Sequence, residues 1–107
     1  MTERRRLPDR RRNESYDERH GNHLWHVTVG FYPDDAPGEV FLDSYGAKVG
    51  SELEAHAHDL AILFSLGLQY GVPINTIAHA LLREADGSPS TIIGAVADRL
   101  MRKEPTP

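Results

Sequence analysis

Residues 51–71 read Ser51-Glu52-Leu53-Glu54-Ala55-His56-Ala57-His58-Asp59-Leu60-Ala61-Ile62-Leu63-Phe64-Ser65-Leu66-Gly67-Leu68-Gln69-Tyr70-Gly71, and the fold turns on this stretch. Ser51 with Glu54 three residues later is a capping-box start. Gly71, with Pro73 beyond it, is a helix stop. The signals predict one long helix from about Glu52 to Tyr70. Leu53, Ala57, Leu60, Phe64 and Leu68 share one stripe at helical spacing, which predicts the face that packs on a sheet. Ile62 and Leu66 lie on the opposite side, with Leu63 and Tyr70 between them. The second half is thus apolar nearly all round and is expected to be covered on both sides, in part by a second subunit. Ile62, Leu63, Leu66 and Tyr70 are the expected homodimer contact.

Towards the N-terminus, Trp25, Val27, Val29 and Phe31 alternate with His26, Thr28 and Gly30. That period of two predicts a half-buried strand. Pro33-Asp34-Asp35-Ala36-Pro37-Gly38 is dense turn chemistry, and Glu39 to Tyr45 is a second β-rich run. The two make an antiparallel hairpin, too small to stand alone without cover. Towards the C-terminus, Ile74 to Glu84 predicts a short helix, with Ile74, Ile77, Ala78 and Leu81 inward. Ser88 as cap and Pro89 as first residue predict a last helix, with Ile92, Ile93, Val96 and Leu100 inward. The expected fold class is α+β: a small antiparallel hairpin, or a three-stranded sheet with a third strand from the N-terminal arm, packed against one long and two shorter helices. The expected organisation is a basic, polar arm over 1–22, one domain over 23–103 and a polar tail over 104–107.

The chain has 107 residues, 39% of them hydrophobic and 26% charged, an ordinary globular composition for one domain. It has no cysteine, which removes disulfides, thiol nucleophiles and thiolate metal sites. The longest apolar run, Leu60 to Leu66, is interrupted by Ser65 and is far short of the ~20 residues that cross a bilayer. The opening Met-Thr-Glu-Arg-Arg-Arg has no apolar core behind it, so no secretion signal and no membrane are expected, and the expected location is the cytoplasm. The net charge of −4 conceals an asymmetry: residues 1–12 carry six arginines against Glu3 and Asp9, and the rest of the chain is strongly acidic. Arg4, Arg5, Arg6, Arg10, Arg11 and Arg12 are therefore candidates for nucleic-acid binding. The alternative is an arm that folds back on the acidic body.

Other candidate chemistry is sparse. His20, His23 and His26 invite a metal, but on a strand positions 23 and 26 face opposite sides, and no carboxylate completes a set. His56 and His58 point to opposite sides of a helix. Gly46 to Ser51 feeds a helix N-terminus, where Lys48, Gly50 and Ser51 are candidates to hold a phosphate or nucleotide. The loop lacks the Gly-Lys-Ser/Thr ending of a P-loop, and a capped helix after a tight turn explains it as well. No serine has a nucleophile's partners, and no carboxylate pair has an acid–base environment. Neither a cofactor nor a catalytic residue is expected.

Five stretches then fall into one order. They are Arg6-Leu7-Pro8-Asp9, Val27-Thr28-Val29-Gly30-Phe31-Tyr32, Pro37-Gly38-Glu39-Val40-Phe41-Leu42, Lys48-Val49-Gly50-Ser51 and Ser65-Leu66-Gly67-Leu68-Gln69-Tyr70-Gly71-Val72-Pro73. With a last helix holding Ile92, Ala95 and Leu100, the sequence resembles the TSCPD domain. That domain is found near the C-terminus of adenosylcobalamin-dependent ribonucleotide reductases and as short stand-alone proteins. The resemblance implies a link to deoxyribonucleotide synthesis and DNA metabolism, and a reductase or another protein of DNA metabolism as partner. It does not imply the reaction, because the reductases use cysteines that this chain lacks. The expected role is a non-catalytic accessory module, with a small nucleic-acid-binding protein as the alternative.

Overall fold

The computed structural model describes residues 3–45 and 51–103. Three strands, β1 (Asn13–His20), β2 (His23–Phe31) and β3 (Pro37–Tyr45), are followed by three helices, α1 (Glu52–Gln69), α2 (Ile74–Ala80) and α3 (Ile92–Lys103). The sheet is antiparallel in the order β1-β2-β3, so the α+β architecture with a third strand from the arm is what forms. A two-residue turn, Gly21-Asn22, joins β1 to β2. Its Gly21 has φ 59°, the positive φ that a tight hairpin of primed type reserves for glycine.

One face of the sheet is the core face. Trp25, Val27 and Val29 of β2 and Val40 and Leu42 of β3 are buried there, placed side by side by a register that sets Val27 opposite Leu42 and Val29 opposite Val40. Ala57, Ala61 and Phe64 of α1, Ile74 and Ala78 of α2, and Ile92, Ile93, Val96, Ala97 and Leu100 of α3 complete the core. On the β1 side, the Arg99 guanidinium of α3 stacks 3.6 Å from the Tyr16 ring centroid.

Helix α1 has the predicted bounds and caps. Ser51 Oγ accepts the Glu54 N–H at 3.2 Å. At the far end the Gly71 N–H reaches Leu68 O (3.1 Å) and the Val72 N–H reaches Gly67 O (2.9 Å), with Gly71 at φ 90°. These two bonds close a Schellman motif.

The buried face of α1 departs from the predicted stripe. Ala57, Ala61, Phe64, Ser65 and Gln69 are buried, whereas Leu53 and Leu60 are 42% and 37% exposed. The helix packs on β3, the last strand of the sheet, and its polar residues turn toward that strand's outer backbone. Two further boundaries shift. Helix α2 ends at Ala80, not near Glu84, because Arg83 Nη2 takes the Ala78 carbonyl (3.0 Å). Helix α3 starts at Ile92, capped by Thr91 Oγ1, which accepts the Gly94 N–H (3.1 Å). Ser88 instead bonds Asp86 in a turn, and Pro89 bridges to Arg83.

Candidate functional site: a groove between a strand edge and a helix

In β3, residues 39, 41 and 43 exchange backbone bonds with β2, so the N–H and C=O of 38, 40 and 42 point outward from the sheet. An unpaired outer edge of this kind attracts stray strands. Helix α1 occupies it with two side chains one turn apart. Ser65 Oγ accepts the Val40 N–H (2.9 Å) and donates to Ala61 O (2.7 Å). Gln69 Nε2 donates to Gly38 O (2.9 Å). Ser65 thus bonds the carbonyl one turn back, as a serine inside a helix can, and adds a bond to the sheet.

The N-terminal segment ties into the same place. Arg4 Nε donates to Gln69 Oε1 (2.7 Å), and the Arg5 N–H donates to Gln69 O (2.7 Å). The Tyr32 hydroxyl donates to Arg5 O, with the Arg5 guanidinium 3.9 Å from the Tyr32 ring centroid; burial pushes this hydroxyl's pKa up. Arg5 also pairs with Asp34 (3.1 Å). The Asp34 carboxyl lies below its usual range, first because it accepts the Ala36 N–H and then because of Arg5. Arg11 holds Glu39 through both oxygens, and Glu39 is only 8% exposed. Arg12 bonds Glu14 and Asp35 and stacks on Phe31.

Between β3 and α1 lies a groove of about 540 Å³. Phe41, Leu42, Ala61, Ile62 and Leu66 give it an apolar lining. Arg4, Glu39 and Gln69 stand among its lining groups, as do Asp43 and His58, which approach each other at 3.9 Å. Phe41 and Ile62 are each more than half exposed. Beside the groove, on the outer face of the sheet, Tyr45 and His26 converge on Asp17 Oδ1, each at 3.2 Å. Such a groove suits an apolar segment with polar ends. Among the described residues that line it, no nucleophile stands beside a base.

The sequence-predicted residues divide clearly. Of the six arm arginines, Arg4, Arg5, Arg11 and Arg12 are held by the body. Arg6 and Arg10 are exposed and form no ion pair among the described residues. Lys48 and Gly50 lie outside the described residues, and Ser51 caps α1. Ile62, Leu63 and Tyr70 are exposed and Leu66 is half-buried. The three histidines part company: His20 Nε2 bonds Pro89 O (3.0 Å), His26 bonds Asp17, and His23 meets the Trp25 ring edge-on. Among the described residues, no three His, Asp or Glu stand together as a metal set. Gln69 was missed as a site residue. The only signal for it is its place four residues after Ser65, which puts both on one helical face.

The groove therefore gathers Glu39-Val40-Phe41-Leu42, Ser65-Leu66 and Gln69, with Arg4 beside them. The family model of the TSCPD domain matches residues 2–103. The chain belongs to the TSCPD domain family. Vitamin B12-dependent ribonucleotide reductases carry similar sequence. That of Bradyrhizobium diazoefficiens is 39% identical over 80 residues, 75% of this chain and 6% of the reductase. That of Agrobacterium fabrum is 37% identical over 78 residues, 73% of this chain and 6% of the reductase. That of Streptomyces clavuligerus is 41% identical over 73 residues, 68% of this chain and 7% of the reductase. This TSCPD domain thus spans a small fraction of the curated relatives it matches. No solved structure matches it. No helix among the described residues is long and apolar enough to cross a membrane.

Proposed function

We propose that this TSCPD domain is a non-catalytic accessory module of vitamin B12-dependent ribonucleotide reduction, acting by docking on a larger reductase polypeptide through the groove between β3 and α1. The observation that carries this reading is the 39% identity to a reductase of which the chain matches only 6%, in a sequence with no cysteine. Reduction of a ribonucleotide through a cysteine radical needs a thiol, so in this reading the chemistry lies in the larger polypeptide. A corrinoid cofactor does not fit the domain either. Among the described residues one histidine, His58, lines the groove, half exposed and 3.9 Å from Asp43. A trough between one strand and one helix also lacks the walls that enclose a macrocycle. What the module supplies is an apolar surface with Arg4 and Asp43 among its flanking charges, a pattern that orients a partner segment as well as holding it. The module works in this reading in the cytoplasm, in deoxyribonucleotide synthesis.

The test is binding of the purified chain to a vitamin B12-dependent reductase from the same cell, by calorimetry, beside an assay of ribonucleotide reduction. The expected result is saturable binding that Ile62→Glu and Phe41→Glu abolish without loss of fold. No binding, together with no change in reductase turnover, overturns the proposal. The nucleic-acid reading has less behind it, because the body already engages four of the six arm arginines.

A further inference from the structure

A second, mostly exposed apolar surface runs along α1 away from the groove, touching the core side where Gly67 borders Ile77 of α2. Leu53, His56, Leu60, Leu63, Gly67 and Tyr70 follow one another in steps of three and four, the spacing that keeps a stripe facing a neighbouring helix. The four large apolar members, Leu53, Leu60, Leu63 and Tyr70, are exposed, Leu63 at 65%. The steps run three, four, three, four, three, so the stripe reads the same from either end. Two copies laid antiparallel about a twofold axis between residues 61 and 62 set Leu60 against Leu63 of the second copy and Leu53 against Tyr70. They also set His56 against Gly67, beside the Ile77 and Val72 side chains that lie 3.7 and 4.0 Å from where a Cβ of Gly67 would stand.

Charge selects the same arrangement. Glu52 and Glu54 occupy the first turn of α1. At its other end Arg4 and Arg5 are bonded to Gln69, with Arg6 next in sequence, exposed and without an ion pair among the described residues. Antiparallel packing brings the acidic turn of each copy to the basic segment of the other, and the helix N-terminus to the partner's C-terminus. Parallel packing would gather all four carboxylates at one end. We propose that the chain forms a symmetric antiparallel homodimer along this stripe, with Glu52 of each copy paired to Arg6 of the other. The contact is isologous and closed, so it stops at two copies. It also leaves Phe41 and Ile62 of the groove outside the stripe.

Sedimentation equilibrium of the full chain tests it. The mass is expected to rise with concentration from 12.0 kDa toward twice that, and the association is expected to weaken as salt screens the ion pairs. Leu63→Glu should give a monomer with an unchanged circular dichroism spectrum. Arg6→Glu should weaken the dimer, and adding Glu52→Arg in the same chain should restore it, a rescue that a merely structural role does not produce. The chain lacks cysteine, so an equimolar mixture of Leu53→Cys and Tyr70→Cys proteins reports register directly. Oxidation is expected to yield the mixed disulfide in preference to either homodisulfide. A monomer at all concentrations, a dimer indifferent to Leu63→Glu, or a preference for homodisulfides would each overturn the proposal.

Discussion

The closest packing around the groove is found at Gly30. A Cβ there would stand 2.7 Å from Glu39 Cγ, and Glu39 has no room to swing aside because Arg11 holds both its oxygens. Gly30→Ala is therefore expected to cost about 1–3 kcal/mol by overpacking, read as a lower midpoint in urea denaturation. Tyr16 presents a different case. Burial pushes its hydroxyl up to about 12, against the pull of the Arg99 guanidinium. The folded value exceeds the unfolded one of 10.0, so this group's contribution to stability is complete below the unfolded value. It is lost as pH rises from there through about 12. A spectrophotometric titration should show a last phenolate step near 12 that Tyr16→Phe removes. Among the described residues the buried Tyr16 hydroxyl has no hydrogen-bond partner, so the same variant is expected to keep the fold's stability at neutral pH, since no bond is lost.

Among the elements, α1 shows why a helix can be read from sequence while its buried face is misread. Its start, stop and length follow from Ser51, Glu54 and Gly71, all local signals. Its inward side was expected from apolar spacing alone, which holds when a helix lies on apolar side chains. Here the helix meets a row of backbone amides, and the inward residues include Ser65 and Gln69. Ser65→Ala leaves the Val40 N–H without its acceptor, at a cost of about 1–3 kcal/mol. The variant should show faster hydrogen exchange at Val40 and a lower thermal midpoint. Strand β1 was foreseen only as an optional third strand. Asn13-Glu14-Ser15-Tyr16-Asp17-Glu18-Arg19-His20 has a single apolar residue, and long-range contacts order it: its pairing with β2, Tyr16 under Arg99 and His20 on Pro89 O. The start of α3 was set too early because Ser88-Pro89 is itself a good opening. Thr91 prevails because residues 83–90 are already committed to the turn around Arg83.

Across the molecule, that same turn is expected to add to the chain's acid sensitivity, beside Asp34 and Asp86, whose carboxyls are also held low. Two bonds from Arg83, at 2.6 and 2.9 Å, hold the Asp98 carboxyl below its usual range. A carboxyl depressed in the fold contributes stability that is present above the unfolded value and lost as pH falls through the folded one. Denaturation midpoints should therefore drop as pH falls below the unfolded value of 3.8. Asp98→Asn should be less stable at neutrality and should flatten that drop. The candidate site was only half legible at this scale. A run of arginines is visible in any reading of the chain, but its partners Asp34, Asp35, Glu39 and Gln69 are strung over distant stretches, and only folding names them. The side chains of α1 on the outer backbone of β3 carry one more implication. With Val40 N–H and Gly38 O occupied, the start of β3 is closed to an added strand, and among the described residues the outer flank of β1 is the longer open one. Two molecules that join along β1 would each use up that flank, so strand-on-strand stacking is expected to end as a pair unless α1 peels off the start of β3.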